Sequence, residues 1–190
     1  MNGTVPEPDA SVYNPVTAVN EEIPKKRITS ANIPTLAPIL NNTASTEADV
    51  LEAIIGFRKM LSVDKNPPVA EVIDADMLTK FVQLLSHSNA KIQFEAAWAL
   101  TNVASTEYTR SVVECGALPM LVQLLMSGNA DVREQSAWCL GNIAGDATDL
   151  RDLVLGAGAM DYMIANIQKP DNDSLLSNVV WAVSNLIRGK

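Results

Sequence analysis

The feature that most restricts how this chain can fold is a repeat of about forty residues that closes each time on the same pair of side chains. Trp98 is followed by Asn102, Trp138 by Asn142 and Trp181 by Asn185. A separation of four puts both members of a pair on one face of a helix, and successive tryptophans are 40 and 43 residues apart. Residues 77–105 align without a gap on 117–145, with 12 of 29 positions identical, including a shared Val-Gln-Leu-Leu and both members of the pair. Repetition on this scale describes a stack in which each unit buries its apolar face against its neighbours. The pairs then make a ladder of indoles and amides along one surface, a shape suited to gripping an extended peptide.

Two further copies flank this alignment. One starts at Gly158-Ala159-Met160 and ends in SNVVWAVSNLIRGK; the other is weaker, LAPILNN followed by ADVLEAIIGFRKML. In the weaker copy Phe57 falls 41 residues before Trp98, and Leu61 stands where the asparagine would be. The expected fold is all-α, an armadillo- or HEAT-type solenoid of about four three-helix repeats at about 33–75, 76–115, 116–157 and 158–190. Each repeat reads as a short helix, a second such as MLVQLLMSG, a turn, and a long third such as ADVREQSAWCLGNIAG. Gly128 and Asn129 break the chain before that third helix, and Gly145 or Gly189 can end it. Asp131 suits the positive end of the helix dipole. Val132, Ala137, Leu140 and Ile143 form its core side, with Trp138 and Asn142 beside that stripe. Pro67-Pro68 stop the first repeat's helix. Residues 1–32, with prolines at 6, 8, 15 and 24, read as a disordered arm marked by Lys25-Lys26-Arg27.

The composition excludes several classes. A net charge of −8 and a pI near 4.6 argue against nucleic acid, which needs a basic face, and suit a cationic ligand. No apolar run reaches the length of a membrane span, and the first residues lack the regions of a signal peptide. The Asn-x-Ser/Thr triplets at Asn2, Asn41 and Asn172 are therefore chance matches, and Cys115 and Cys139 are reduced thiols, Cys139 a buried one. One histidine, His87, in a turn, supports neither a zinc site nor a histidine-dependent triad. No phosphate-cradling glycine loop is present. We expect no catalytic residue, no metal and no cofactor.

The strings IQFEAAWALTNVAS, EQSAWCLGNIAGDATDLRDLV and NVVWAVSNLIRGK, preceded by FRKMLS and a Pro-Pro turn, resemble the importin-α family of nuclear import adaptors over roughly residues 48–190. The resemblance implies a right-handed armadillo superhelix with a concave groove lined by the third helices, holding an extended basic nuclear localisation signal antiparallel to the repeats. It implies that Asn102, Asn142 and Asn185 clamp the peptide backbone and that Trp98, Trp138 and Trp181 are shelves for lysine or arginine stems. Asp146, eight residues after Trp138, matches the family's anchor for the critical lysine. Thr109 stands for its assisting threonine, in a loop two residues shorter than the family's and without its glycine. Gln135 and Asn178, each three residues before a tryptophan, match other contact positions. Three asparagines in register also weigh against a core role, since buried amides would need three buried partners.

The chain departs from the family in two respects. The family's importin-β-binding segment is a long basic helix, whereas this arm has only Lys25-Lys26-Arg27, so binding importin-β in the usual way is not expected. The family has about ten repeats and this chain four, so part of the last apolar face is expected to be exposed and open to self-association. The implied partners are basic cargo proteins, with no membrane and no nucleic acid, and the implied location is cytoplasm and nucleus. An alternative is a truncated relative that binds signals without importin-β, as a decoy, retention or regulatory factor. A third, a scaffold for acidic or mixed peptides, fits the ladder and Asp146 poorly. Lys25-Lys26-Arg27 reads either as a solvated cluster or as a self-ligand for the groove.

Overall fold

Residues 28–188 are described by the computed structural model of the chain. After one 3₁₀ turn at Ser30–Asn32 they form α1 (Ile33–Asn41), α2 (Glu47–Leu61), α3 (Val69–Asp74), α4 (Met77–Leu84), α5 (Ala90–Ala104) and α6 (Thr109–Glu114). There follow α7 (Ala117–Leu124), α8 (Ala130–Asp146), α9 (Thr148–Gly156), α10 (Ala159–Gln168) and α11 (Asp173–Ile187). Two short helices and a long one recur three times, preceded by a shorter opening unit of α1 and α2. The basic tripeptide Lys25-Lys26-Arg27, Asn2 and Gly189 lie outside the described residues.

Each long helix begins in the same way, which is why the repeat length is so regular. Thr46 Oγ1 accepts from Asp49 N at 3.2 Å, Asn89 Oδ1 from Lys91 N at 2.8 Å, Asn129 Oδ1 from Val132 N at 3.1 Å and Asn172 Oδ1 from Leu175 N at 2.8 Å. These caps, 43, 40 and 43 residues apart, satisfy amide groups that have no partner in the first helical turn. The second helices also share a start. Asp76, Gly116 and Gly158 precede α4, α7 and α10 with φ of 55°, 85° and 79°, a left-handed turn that redirects the chain between the two short helices.

The long helices pack on one another in the order α2, α5, α8, α11, and these are the most extensive helix contacts in the molecule. Val132, Ala137, Leu140 and Ile143 are fully buried on α8, as expected, and so are Ser136 and Cys139. A helix clasped between α5 and α11 must be buried over most of its circumference, and the half-buried stripe left over carries Trp138 and Asn142. Both cysteines are free thiols; burial pushes Cys139 up to about 12 and Cys115 to about 11.

The structure corrects the sequence reading at several points. Gly145 does not end the third helix: α8 continues through Asp146, and the break comes at Ala147, whose backbone is extended. The second helix of the third repeat starts at Ala117, three residues before MLVQLLMSG, because Pro119 falls in the first turn, where its missing N–H costs nothing. Residues 28–32 are not part of an arm, since Asn32 Oδ1 accepts from Thr29 N at 3.0 Å in the 3₁₀ turn and Ile28 packs against the core. The register of the first repeat also changes. Ala53, Ile54, Phe57 and Met60 are fully buried, and so are Ala96, Ala97, Leu100 and Val103, each 43 residues later. Ile55 therefore stands at the place of Trp98 and Lys59 at that of Asn102, while Phe57 is a core residue against Phe81, ring centroids 5.3 Å apart.

Candidate peptide-binding face

Trp98 and Asn102 lie on α5, Trp138 and Asn142 on α8, and Trp181 and Asn185 on α11. The three indoles are half-buried. Helix stacking thus brings the pairs into one row, and the amides are fixed by a shared device. Asn102 Nδ2 donates to Arg58 O at 3.3 Å, Asn142 Nδ2 to Thr101 O at 3.3 Å and Asn185 Nδ2 to Gly141 O at 3.0 Å. In the corrected register Arg58, Thr101 and Gly141 are equivalent residues of consecutive long helices, 43 and then 40 residues apart. Each amide is therefore tied to a helical carbonyl of the repeat before it, using that oxygen's second lone pair.

The consequence for the site is preorganisation. An asparagine amide has two N–H donors and one acceptor oxygen. Asn142 and Asn185 give one N–H to the preceding helix and keep the other N–H together with Oδ1, the two groups needed to bridge a peptide N–H and carbonyl. Asn102 differs, because its Nδ2 also donates to Ser62 Oγ at 2.8 Å, leaving Oδ1. The argument that the need for buried partners weighs against a core role is corrected for Asn185, which is 6% exposed and has its partner in the backbone of α8.

Two of the indoles rest on these same positions, Trp98 under Arg58 and Trp181 on Gly141. A Cβ at Gly141 would lie 2.4 Å from Trp181 Cζ3, so the ring is seated directly on the backbone of α8. Arg58 carries its guanidinium over Trp98, Cζ 4.3 Å from the ring centroid, and Phe94 meets the ring edge-on at 5.5 Å. Among the described residues the indoles make no ring contact with one another, which leaves gaps between them.

Three residues before each tryptophan stand Glu95, Gln135 and Asn178. Gln135 is 5% exposed and donates from Nε2 to Thr101 Oγ1 at 2.8 Å. Asn178 donates from Nδ2 to Glu134 Oε1 at 2.9 Å, an oxygen that also accepts from Ser174 Oγ at 2.6 Å. Glu134 was not legible as a site residue, because nothing in the repeat alignment marks a contact to α11. Asp146 is exposed at the end of α8 and does not cap α9, whose N-cap is Ala147. Close by, the surface pair Arg110–Asp149 at 2.6 Å holds the Asp149 carboxyl below its ordinary range through that hydrogen bond. Thr109 is corrected. It is 1% exposed, and its hydroxyl donates to Ala104 O and Thr106 O at 3.0 and 2.8 Å, tying the start of α6 to the end of α5.

Comparison with known proteins identifies the array. The family model described as Armadillo/beta-catenin-like repeat matches residues 65–105 and 105–145. The chain is 53% identical over 149 residues to importin subunit alpha-3 of Caenorhabditis elegans, covering 77% of this chain and 29% of that protein. It is 43% identical over 143 residues to importin subunit alpha-2 of Arabidopsis thaliana, covering 74% of this chain and 27% of that one. The chain belongs to the importin-α family. The chain spans 27–36% of the length of the curated importin-α relatives it matches. The fold is shared with a designed armadillo repeat protein solved in complex with the peptide (KR)4, at TM-score 0.73 and 26% identity, over 82% of this chain and 66% of that one. A second set of designed armadillo repeat proteins, for modular peptide recognition, agrees at TM-score 0.74 and 22% identity, over 82% and 66% of the two chains. This importin-α chain is therefore an all-α armadillo solenoid whose long helices are the third helices of successive repeats.

Proposed function

We propose that this chain binds lysine- and arginine-rich nuclear localisation signals, extended along a concave Trp/Asn groove, as an adaptor in nuclear protein import between cytoplasm and nucleus. It is a binding module and not an enzyme. The observation that carries this reading is the row of asparagine amides, each held in a fixed position by a carbonyl of the preceding long helix. Stacked helices sit about 8–10 Å apart and an extended peptide advances about 3.3 Å per residue. Consecutive shelves then meet side chains two or three residues apart. Each cation on an indole contributes about 0.5–2 kcal/mol, and the backbone clamps add to this. After the cost of ordering the peptide, affinity at about the micromolar level is reasonable.

In this reading Trp98, Trp138 and Trp181 take the aliphatic stems and Asn102, Asn142 and Asn185 the backbone. Asp146 pairs with one lysine, and Gln135 and Asn178 line the gaps. Thr109 is no longer included. Support comes from the names of the relatives and from the designed armadillo protein bound to a Lys/Arg repeat peptide. Fluorescence anisotropy of a labelled lysine-rich signal peptide tests it, comparing wild type with Asp146→Lys and with Trp138→Ala/Asn142→Ala. Binding at about micromolar strength that both variants abolish is the expected result; a folded wild type that binds nothing would overturn the reading. A pull-down with importin-β separately distinguishes a transport adaptor from a relative that retains or masks signals.

A further inference from the structure

We infer that Arg58 closes the indole ladder at its N-terminal end, occupying within the chain the face of Trp98 that would otherwise take one more cationic side chain of the ligand. The inference rests on the basic-peptide reading above and adds where the groove stops and which residue stops it. Arg58 Cζ stands 4.3 Å from the Trp98 ring centroid, and its Nε donates to Glu95 Oε2 at 2.7 Å. Both side chains are well covered, 16% and 12% exposed, so this is not a loose surface pair. The arrangement has the parts a lysine or arginine of a ligand would seek, an aromatic face with a carboxylate beside it, already filled by the protein.

The repeat register shows what is unusual here. The position that meets the following indole at Arg58 in α2 and Gly141 in α8 is Thr101 in the register of α5. The position three residues before the indole is Glu95, Gln135 and Asn178. Only the first slot carries a carboxylate at that place, and only the first is covered by a long cationic side chain. At the second slot the equivalent residues bond to each other instead, Gln135 Nε2 donating to Thr101 Oγ1 at 2.8 Å, with no charge on either. Beyond Arg58 the asparagine position is taken by exposed Lys59, which offers no amide clamp and repels a cation. A basic peptide therefore has two gaps for its stems, Trp98–Trp138 and Trp138–Trp181, and a lysine reaching past Trp98 finds the site taken.

The test lengthens a lysine-rich peptide by one lysine at each end in turn and measures affinity by isothermal titration calorimetry. On wild type, lengthening at the end that lies against α2 is expected to change the dissociation constant less than about twofold. Arg58→Thr/Glu95→Gln transplants the Thr101–Gln135 pair into the first slot and leaves no buried charge without a partner, so it is expected to fold even where Arg58→Thr alone does not. In this double variant the same added lysine should tighten binding by about two- to thirty-fold, the range for one cation on an indole. Arg58→Thr, where it folds, should gain more, since Glu95 is then free. A wild type that already gains about tenfold from the added lysine at that end, or a folded double variant that gains nothing, would overturn the inference while leaving the basic-peptide reading intact. A wild type that binds no lysine-rich peptide of any length would instead remove the basic-peptide reading, and this inference with it.

Discussion

Gly141 shows how one residue can matter to both stability and site geometry. It lies inside α8, where alanine is favoured over glycine by about 1 kcal/mol on helix propensity alone. Against that gain, a methyl group at this position would sit 2.4 Å from Trp181 Cζ3 and 3.0 Å from Ala182 Cβ. The ring is seated on the helix backbone and Ala182 is a buried residue of α11, so relief requires moving α11. Overpacking of this kind costs about 1–3 kcal/mol, so the clash should outweigh the propensity. Gly141→Ala is expected to lower the unfolding free energy in urea, by up to about 2 kcal/mol, and to weaken basic-peptide binding, because the Trp181 shelf shifts. An increase in stability would show that the indole has room to slide.

Among the elements, the three left-handed starts of the second helices form an internal comparison. Gly116 and Gly158 adopt positive φ without strain, whereas Asp76 carries a Cβ at φ 55°. Asp76 receives a hydrogen bond from Thr79 Oγ1 at 2.9 Å, which offsets part of the strain but is exposed. Asp76→Gly is therefore expected to raise stability by about 0.5–1 kcal/mol. Gly116→Ala should lower it by about 1 kcal/mol, and for purely conformational reasons, since nothing lies within 4 Å of where its Cβ would be. Paired thermal melts check both signs; two changes in the same direction would mean that helix contacts, and not backbone conformation, set the cost at this turn.

Across the whole molecule, the two ends of the stack are finished differently. Among the described residues, every exposed large apolar side chain other than Met126 lies on the last three helices: Leu153, Leu155, Tyr162, Ile164, Val180 and Ile187. Val180 and Ile187, 48% and 70% exposed, mark the side of α11 that faces away from α8. In a solenoid, stability is a sum over neighbours, so α5 and α8, each clasped on two sides by long helices, should be the most protected. Hydrogen exchange at low protein concentration is expected to show α11 amides exchanging at least tenfold faster than those of α8. Equal protection would mean that the stack opens only as a single cooperative unit.

The repeat length, the helical class, the core stripe of α8 and the Trp–Asn pairing were all legible in the sequence, because periodicity within one helix decides which side chains share a face. The N-caps Asn89, Asn129 and Asn172 sat at the same spacing as the tryptophans and could have fixed the starts of α5, α8 and α11. What lay between helices was not legible. In the first repeat, where no Trp–Asn pair marks the register, Phe57 read as the counterpart of the indole, and only the burial pattern that α2 shares with α5 put Ile55 there instead. Thr109 read as a groove residue, but its hydroxyl is turned onto the carbonyls of Ala104 and Thr106. Arg58 lies forty residues from the ring it covers, and its pairing with Glu95 depends on how α2 is rotated against α5. One helix's amphipathic pattern carries no information about its rotation against the next. Which carbonyl holds each asparagine, and which cation already occupies Trp98, is settled only when the long helices stack.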